Sequence, residues 1–242
     1  MSARLQAPRT TFQEQVLAQI GQDICAGRYR PGDVLPSEAE LCARFNFSRI
    51  VIREAIKSLA AKGMVDVRRK LGTLVQPPAQ WNLFDPEIIA WRTQTGGVDR
   101  VLAHDLLELR RIVDPPTARL AARRATADDR AKLRMAFAAM ARAVAGEGDY
   151  VTADLGFHAT ILEASGNQFL RTMQVAMSAI LRVSFQLSSK RQGGPAYSLP
   201  MHEALCIAIE QGEEDAAEQA ARRLIAQSEC DLLEGLGIDV TT

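Results

Sequence analysis

Two of the three histidines in the chain have a spacing that could bring them together with a carboxylate. Asp154 and His158 are four residues apart, so on a helix their side chains would lie over one another on one face. His202 comes later, beside Leu205 and Ile209, whose spacing is typical of a second helix. A carboxylate and two imidazoles are suitable ligands for a divalent metal, first Zn and then Ni or Mn. An exposed ion pair or an ordinary core histidine would produce the same pattern.

A second group of residues with functional chemistry is basic. Arg49, Arg53 and Lys57 recur every fourth residue, so on a helix all three would face the same partner. The first turns of a recognition helix reach base edges in the major groove of DNA, which makes Arg49 and Arg53 the candidates for base contacts. Lys57, Arg69 and the backbone near Gly72 are predicted to contact phosphates. A solvated charged face is the alternative interpretation.

The elements around these residues are predicted to be a helix-turn-helix followed by a wing. Ser37 and Glu40 have the spacing of a capping box at the start of a short helix. Asn46 suits a left-handed turn, and Ser48 suits the N-cap of the basic helix. Two strands are predicted at 64–67 and 73–75, around a tip formed by Arg68, Arg69, Lys70 and Gly72.

The remainder of the chain is predicted to be almost wholly helical. The expected helices are 86–95, 98–124, 126–145, 149–165, 167–189, 197–211 and 213–235. In the second of these, the expected buried residues are Leu102, Leu106, Leu109, Val113 and Leu120, and Pro115 with Pro116 predicts a kink. Six or seven helices with short connections predict an antiparallel bundle. The fold class is therefore mainly α, with an N-terminal winged helix-turn-helix.

Charge divides the chain in the same way. Residues 1–76 carry 12 Lys and Arg against 7 Asp and Glu, a net of +5, whereas the remainder carries 17 against 22, a net of −5. A basic head gains from counterion release on DNA, and an acidic body should face away from it. The predicted domains are a winged helix at 1–76, a linker with a short helix at 77–97 and an effector-binding bundle at 98–236. Trp81, Leu83 and Phe84 are too apolar for a free tether, so we expect them to pack between the domains or onto the body.

The remaining composition excludes several classes of protein. The cysteines Cys25, Cys42, Cys206 and Cys230 lack CxxC spacing and indicate neither a disulfide framework nor a zinc ribbon. The first ten residues lack the apolar core of a signal peptide, and no apolar run is long enough to cross a membrane. The sequence therefore predicts a cytoplasmic protein.

The N-terminal motifs resemble those of the GntR family of bacterial transcription factors. The resemblance is carried by Leu35-Pro-Ser-Glu-x-Glu-Leu41, by Ser48-Arg-x-x-x-Arg-Glu-Ala55 and by Arg69-x-x-Gly-Thr73. It implies binding to double-stranded operator DNA and adds Ser48, Gly72 and Thr73 to the expected DNA contacts. This chain departs from the family at Ala39, where the family often has an arginine that touches DNA.

Residues 98–235 resemble the helical ligand domain (FCD type) of the FadR subfamily of that family. The resemblance is carried by Glu108-Leu-Arg-Arg-Ile-Val-Asp-Pro115, Asp154-x-x-Phe-His158, Ser165-Gly-Asn167 and His202-x-Ala-Leu-x-x-Ala-Ile209. It implies that an Asp and three His bind a metal beneath a small carboxylate ligand. Here the last of those histidines is replaced by Leu224, which leaves either a three-ligand metal site or a metal-free polar pocket.

The same resemblance makes Arg110 the candidate for gripping the carboxylate of the effector, with Arg182 as a weaker second. A surface ion pair of Arg110 with Asp105, Glu108 or Asp114 is the alternative.

Further similarities narrow the effector. Trp81-Asn-x-x-Asp-x-x-x-x-x-Trp91 and Ala216-Ala-Glu-Gln-Ala-Ala221 are similar to segments of family members that regulate sugar-acid operons. The resemblance implies a homodimeric repressor that a sugar acid, such as galactonate or another aldonate, releases from a palindromic operator. The alternatives are a regulator that responds to another small carboxylate, a metal-dependent enzyme using Asp154, His158 and His202, and a helical scaffold that uses the winged helix for protein contacts.

Overall fold

The computed structural model describes residues 11–95, 100–188 and 194–235. Clustering of the chain gives two compact units, Met1–Gly97 and Val98–Thr242. Several predicted limits lie outside the described residues: the starts of the expected helix and domain at 98, the end of the expected helix at 189, and the domain limits at 1, 97 and 236.

The first unit contains a three-helix head, a wing and one further helix. Its elements in chain order are α1 (Phe12–Cys25), α2 (Glu38–Phe45), α3 (Arg49–Ala61), β1 (Val65–Arg68), β2 (Gly72–Val75), a 3-10 turn at Pro78–Gln80 and α4 (Pro86–Thr95). Strands β1 and β2 are antiparallel, with Val65 opposite Val75 and Arg68 opposite Gly72. The mainly α class and the winged helix-turn-helix predicted from sequence are confirmed.

The boundaries of α2 and α3 follow from the capping residues predicted for them. Ser37 and Glu40 form a reciprocal capping box at the start of α2. Asn46 ends α2 with a left-handed φ of 55°, and the hydroxyl of Ser48 accepts from the Val51 N–H at the start of α3. These side chains satisfy backbone groups that a helix end leaves unpaired, so the tight turn between the two helices is encoded locally.

Helix α1 is an element that the sequence analysis did not predict. Thr11 and Glu14 form a capping box at its start, and its buried side contains Val16, Leu17, Ile20 and Ile24. The signals were therefore present in the sequence, as a Thr-x-x-Glu motif followed by apolar residues at helical spacing.

The segment predicted to be a linker packs onto the first unit instead. Trp81 is buried in the core of that unit, and its indole N–H donates to the carbonyl of Gln76 over 2.9 Å. Leu83 and Phe84 are exposed. For Trp81 the expectation of packing between the domains or onto the body was thus wrong, because the core formed by α1 and α3 itself accommodates this side chain.

Helix α4 is held against α1 by a close aromatic contact. Trp91 is buried, and a Cβ at Gly21 would lie only 2.4 Å from the Trp91 ring. Lys62 forms ion pairs with Asp85 and Glu87, each at 2.6 Å, at the start of α4. These contacts make α4 part of the first unit.

The second unit is a bundle of seven helices in its described part. They are α5 (Arg100–Arg124), α6 (Ala127–Val144), α7 (Tyr150–Ala164), α8 (Gln168–Thr172), α9 (Gln174–Ser188), α10 (Gly194–Gln211) and α11 (Glu214–Gly235). The predicted bundle of six or seven helices is confirmed. The segment 167–189, predicted as one helix, forms two, α8 and α9, which are separated at Met173. No helix of the described residues is long and apolar enough to cross a membrane.

The buried side of α5 differs from the predicted one. Leu102 is buried as expected, but Leu106, Leu109, Val113 and Leu120 are only half-buried. The buried stripe instead contains Leu107, Arg110, Thr117, Ala118, Ala121 and Ala122. The small residues near the end of α5 allow neighbouring helices to approach closely. Because Arg110 belongs to the buried stripe, its side chain points into the bundle. Helix α5 continues through Pro115 and Pro116 without ending.

Candidate functional site

The basic residues of α3 lie on one exposed face. Arg49, Arg53 and Lys57 are exposed, whereas Ile52 and Leu59 on the other side of the helix are fully buried in the core of the first unit. The N-cap at Ser48 places Arg49 at the first position of the helix. The core therefore holds this face in place, and the face is open to a partner.

Two of these basic side chains are engaged by carboxylates of the same unit. Arg53 binds Glu38 of α2 through two hydrogen bonds, Nε to Oε1 at 3.1 Å and Nη2 to Oε2 at 2.9 Å. This hydrogen bonding from Arg53 lowers the pKa of Glu38 below its usual value. Lys57 pairs with Glu54 at 2.8 Å. Exposed ion pairs of this kind contribute little to stability, so a polyanion can displace them.

The tip of the wing carries further positive charge, next to a backbone position that favours glycine. Arg69 and Lys70 are exposed, and Thr73 is half-buried on β2. Gly72 has a φ of +91°, and a Cβ there would lie 2.9 Å from Cγ1 of Val34. A side chain at Gly72 would therefore strain the tip and displace Val34. The predicted DNA contacts at Ser48, Arg69, Gly72 and Thr73 thus all lie in the turn, the helix start or the wing.

The second unit brings Asp154, His158 and His202 together. Asp154 and His158 lie on α7 and His202 on α10, and one ligand atom from each falls within 4.8 Å of the others. Oδ1 of Asp154 lies 3.0 Å from Nε2 of His202 and 3.8 Å from Nε2 of His158. Asp154 and His202 are buried, and Phe157 packs edge-on against both imidazoles. The cluster predicted from sequence spacing therefore forms inside the bundle.

Hydrogen bonding sets the orientation of His202. Its Nδ1 lies 2.9 Å from the carbonyl oxygen of Ser198, which can only accept, so Nδ1 carries the proton in the neutral ring. Nε2, the other ring nitrogen, faces Oδ1 of Asp154 at 3.0 Å. Oδ2 of Asp154 is buried and has no hydrogen-bond partner. The Asp154 carboxylate and the two imidazoles thus lie close together inside the bundle, an arrangement that fits a cation.

The protonation states in the cluster suit metal binding. Burial lowers the pKa of His158 to about 4, because the imidazolium would be desolvated. Burial by itself would raise the pKa of Asp154, but the two imidazoles and the Arg110 guanidinium more than offset this, so its pKa lies below the usual value. A neutral imidazole and an ionised carboxylate are the forms that bind a metal.

Arg110 is almost completely buried, with 1% of its surface exposed. Its Nε donates to Oδ2 of Asp114 at 2.9 Å, so the ion pair considered from sequence does form, but inside the bundle and not on the surface. A buried guanidinium held by its Nε leaves both Nη groups to bind a carboxylate.

A cavity joins Arg110 to the histidine cluster. Its lining is largely apolar, with Arg110, Asp114, Thr117 and His158 as the polar members; the apolar ones include Ile161, Leu162, Met177, Leu181, Leu205 and Leu224. Its volume is about 30 Å³, room for one or two water molecules. A sugar acid therefore requires the walls of the cavity to move.

Two sequence-based expectations for this pocket have different outcomes. Leu224 lies in the cavity wall and is buried, so the position where the resemblance implies a fourth metal ligand carries a side chain that cannot bind metal. Arg182 is exposed on α9 and does not line the cavity, because it lies on the outer side of that helix next to the inward-facing Leu181. The structure therefore does not bring Arg182 to the pocket.

Some residues that line the cavity were not predicted from the sequence to belong to the site. Asp114 was considered only as a surface partner of Arg110, although its spacing of four residues places it on the same helical face. Thr117 follows one turn later, and its hydroxyl donates to the carbonyl of Val113. Met177 and Leu181 lie on α9, and nothing in their spacing distinguishes a cavity wall from ordinary core.

Comparison with known proteins identifies both units. Residues 12–75 match the family described as bacterial regulatory proteins, gntR family, and residues 105–227 match the FCD domain. The galactonate operon transcriptional repressor of Escherichia coli (strain K12) is 34% identical over 216 residues, which cover 89% of this chain and 94% of that protein. The uncharacterized HTH-type transcriptional regulator YieP of the same organism is 32% identical over 227 residues, covering 93% and 97%.

Solved structures share the fold at lower identity. The structure of Lar, described as controlling the expression of the Listeria monocytogenes agr system, matches with a TM-score of 0.69 at 18% identity and covers 94% of this chain and 99% of that one. E. coli McbR/YncC matches with a TM-score of 0.55 at 15% identity, covering 93% and 99%. The matched families and relatives are transcriptional regulators and not enzymes, which removes the metal-dependent enzyme alternative.

Proposed function

The chain belongs to the gntR family of bacterial regulatory proteins and carries an FCD domain, and from that membership we propose that it represses a sugar-acid catabolic operon. The repressor acts as a homodimer, and a small acid releases it from its operator. The observation that carries the ligand-responsive part is the buried Arg110, which lines one cavity together with His158 of the Asp154, His158 and His202 cluster.

On DNA, α3 acts as the recognition helix. Arg49 and Arg53 contact base edges in the major groove, and Lys57 holds a phosphate. Ser48 contributes at the helix start, while Arg69, Gly72 and Thr73 position the wing on the backbone of the duplex. Because Arg53 is bound to Glu38, operator binding exchanges that pair for contacts with DNA. A homodimer reads a palindrome whose half-sites lie about one helical turn or less apart.

In the bundle, Arg110 binds the carboxylate of the effector through its two Nη groups. Asp114 holds the guanidinium in place through Nε, so the carboxylate meets donors that are already oriented. The galactonate operon repressor supports an aldonate, galactonate among them, as the effector class. The largely apolar lining supports, as the second candidate, a small carboxylate that has fewer hydroxyl groups.

The Asp154, His158 and His202 cluster fits a divalent metal, with Zn ahead of Ni or Mn. The tautomer of His202 and the unpartnered Oδ2 of Asp154 support this assignment. A bound metal would supply Lewis acidity toward an effector oxygen. Three protein ligands leave open coordination positions, since Leu224 cannot provide a fourth.

Effector binding is coupled to operator release because the cavity is smaller than the ligand. A sugar acid has to displace the helices that line the cavity, and that displacement changes the spacing of the two heads of the dimer. A coupling free energy of about 1–3 kcal/mol changes operator occupancy many-fold.

Thermal unfolding with a panel of acids tests this function. The panel contains aldonates, including galactonate, and matched acids without hydroxyl groups, each measured with added Zn and with chelator. A ligand that binds the native state stabilises it by RT ln(1 + [L]/Kd) and therefore raises the melting temperature. A shift with one aldonate supports the sugar-acid class, and its loss in chelator supports a metal in the site. A shift only with acids that lack hydroxyl groups supports the second candidate, and no shift with any acid contradicts both.

A further inference from the structure

The recognition helix α3 exposes one large apolar side chain among its charges. Ile50 is 75% exposed, the highest value among the large apolar side chains of the described residues. It belongs neither to the core of the first unit nor to the half-buried residues packed against that core. The side chain therefore contributes little to folding.

The helix geometry points Ile50 directly away from the core. Ile50 and Leu59 are nine residues apart, about two and a half turns, so they lie on opposite sides of α3, and Leu59 is fully buried. Arg53 and Lys57 follow Ile50 at spacings of three and seven, on the same side. The apolar side chain thus lies on the exposed side of α3, next to Arg53 and Lys57 and at the edge of the basic residues.

The position of Ile50 along the helix is equally specific. Because Ser48 is the N-cap, Ile50 is the second residue of α3 and lies in the first turn. Residues in the first turn of a recognition helix are the ones that reach base edges. The capping of α3 does not need Ile50, since the Ser48 hydroxyl accepts from the Val51 N–H.

We propose that Ile50 contacts the C5 methyl group of a thymine in each half-site of the operator and is a specificity-determining residue of this chain. The thymine methyl is the apolar group that the major-groove edge of a base pair presents, and an apolar side chain reads it by contact. Ala39, also exposed, offers no polar contact at the start of α2, so the apolar contact makes up a larger share of base discrimination. This inference rests on the proposed role of α3 in DNA binding.

The test removes only the methyl group. Full-length protein first selects its preferred duplex from a random pool, and each thymine of that duplex is then replaced singly by uracil, which pairs identically. Wild-type protein is expected to bind about fourfold more weakly when the contacted thymine is replaced, the effect of losing one buried methyl-sized group. In Ile50→Ala the same replacement is expected to leave affinity unchanged.

Controls separate this contact from general effects. Ile112→Ala removes an equally large side chain that is 65% exposed on α5, and it should keep the wild-type response to uracil. The melting temperature of Ile50→Ala should match that of the wild type. A selected duplex with no uracil-sensitive position, or a sensitivity that persists in Ile50→Ala, would overturn the inference alone. Failure to select any duplex would overturn the DNA-binding proposal as well.

Discussion

At the scale of single residues, Arg110 is the charged side chain on which the proposed pocket depends. A buried guanidinium is costly unless it is paired, and Asp114 pairs with Arg110 through Nε. In the proposed function, the Nη groups of this positioned guanidinium bind the carboxylate of the effector.

Arg110→Ala is predicted to separate the two functions of the protein. It should bind operator with wild-type affinity, since Arg110 lies in the second unit, but the effector should no longer release it. Fluorescence anisotropy of a labelled operator, titrated with effector, measures both properties. Arg182→Ala is the matched control, because that arginine is exposed outside the cavity and its loss should leave release intact. A normal response in Arg110→Ala would show that the pocket assignment is wrong.

His158 is predicted to make the metal-free protein less stable in acid. Its pKa is about 4 in the folded protein against 6.5 ordinarily, so the unfolded chain binds more protons between these values. The contribution to stability is therefore complete above about pH 6.5 and is lost as the pH falls toward 4. Denaturant unfolding in chelator measures this window.

His158→Gln tests that assignment because it removes the titrating group and keeps a polar side chain. The variant should lose part of the dependence of unfolding free energy on pH between 4 and 6.5. His104, exposed on α5, is the control position, and His104→Gln should retain the wild-type dependence. Equal pH dependence in wild type and His158→Gln would contradict a buried neutral imidazole.

At the scale of elements, the close contact between α1 and α4 is sensitive to the addition of a single carbon atom. Gly21→Ala would place a methyl group 2.4 Å from the Trp91 ring, so Trp91 or α4 has to shift. Overpacking of this kind costs about 1–3 kcal/mol. We expect Gly21→Ala to lower the unfolding free energy of the protein by this amount, as measured in urea.

Gly156→Ala provides the matched control for that change. Gly156 also lies within a helix, and a Cβ there would meet nothing within 4 Å. Replacing a helical glycine by alanine at such a position should stabilise by about 0.4–1 kcal/mol. If both substitutions had the same effect, the Gly21–Trp91 contact would not hold α4 in place.

These elements also show what a sequence can and cannot predict. The α2–α3 turn was predictable because Ser37, Asn46 and Ser48 satisfy backbone groups locally. The orientation of α5 was not, because several apolar stripes are compatible with its composition and only packing against other helices selects one. That choice buried Arg110 and left Leu106 half-buried. The cluster of Asp154, His158 and His202 was predictable in membership, but the size of the cavity beside it depends on apolar residues of several helices.

At the scale of the whole molecule, positive charge is concentrated in the part of the chain that is proposed to bind DNA. The net of +5 on residues 1–76 against −5 on the remainder predicts that operator affinity falls steeply with salt. The slope of log K against log salt counts the phosphates neutralised. Lys57→Ala should reduce that slope by about 1 and weaken binding to all duplexes equally, whereas Arg49→Ala should abolish specific binding to the operator.

Lys132→Ala is the control for the salt experiment. Lys132 is exposed on α6 in the second unit and pairs with Asp128, so its removal changes net charge equally but leaves the proposed DNA face intact. Its salt slope should equal that of the wild type. A reduced slope in Lys132→Ala would mean that the second unit also contacts phosphate.

The central claim is that acid binding at Arg110 releases the homodimer from DNA, and one titration tests it most directly. The selected operator duplex is bound by wild-type protein, and anisotropy is followed as each aldonate is added, with Arg110→Ala and Arg49→Ala measured alongside. The account predicts that one acid releases the wild type, that Arg110→Ala stays bound throughout, and that Arg49→Ala does not bind the operator although its melting temperature still rises with that acid. An acid that releases wild type and Arg110→Ala at the same concentration would contradict the account.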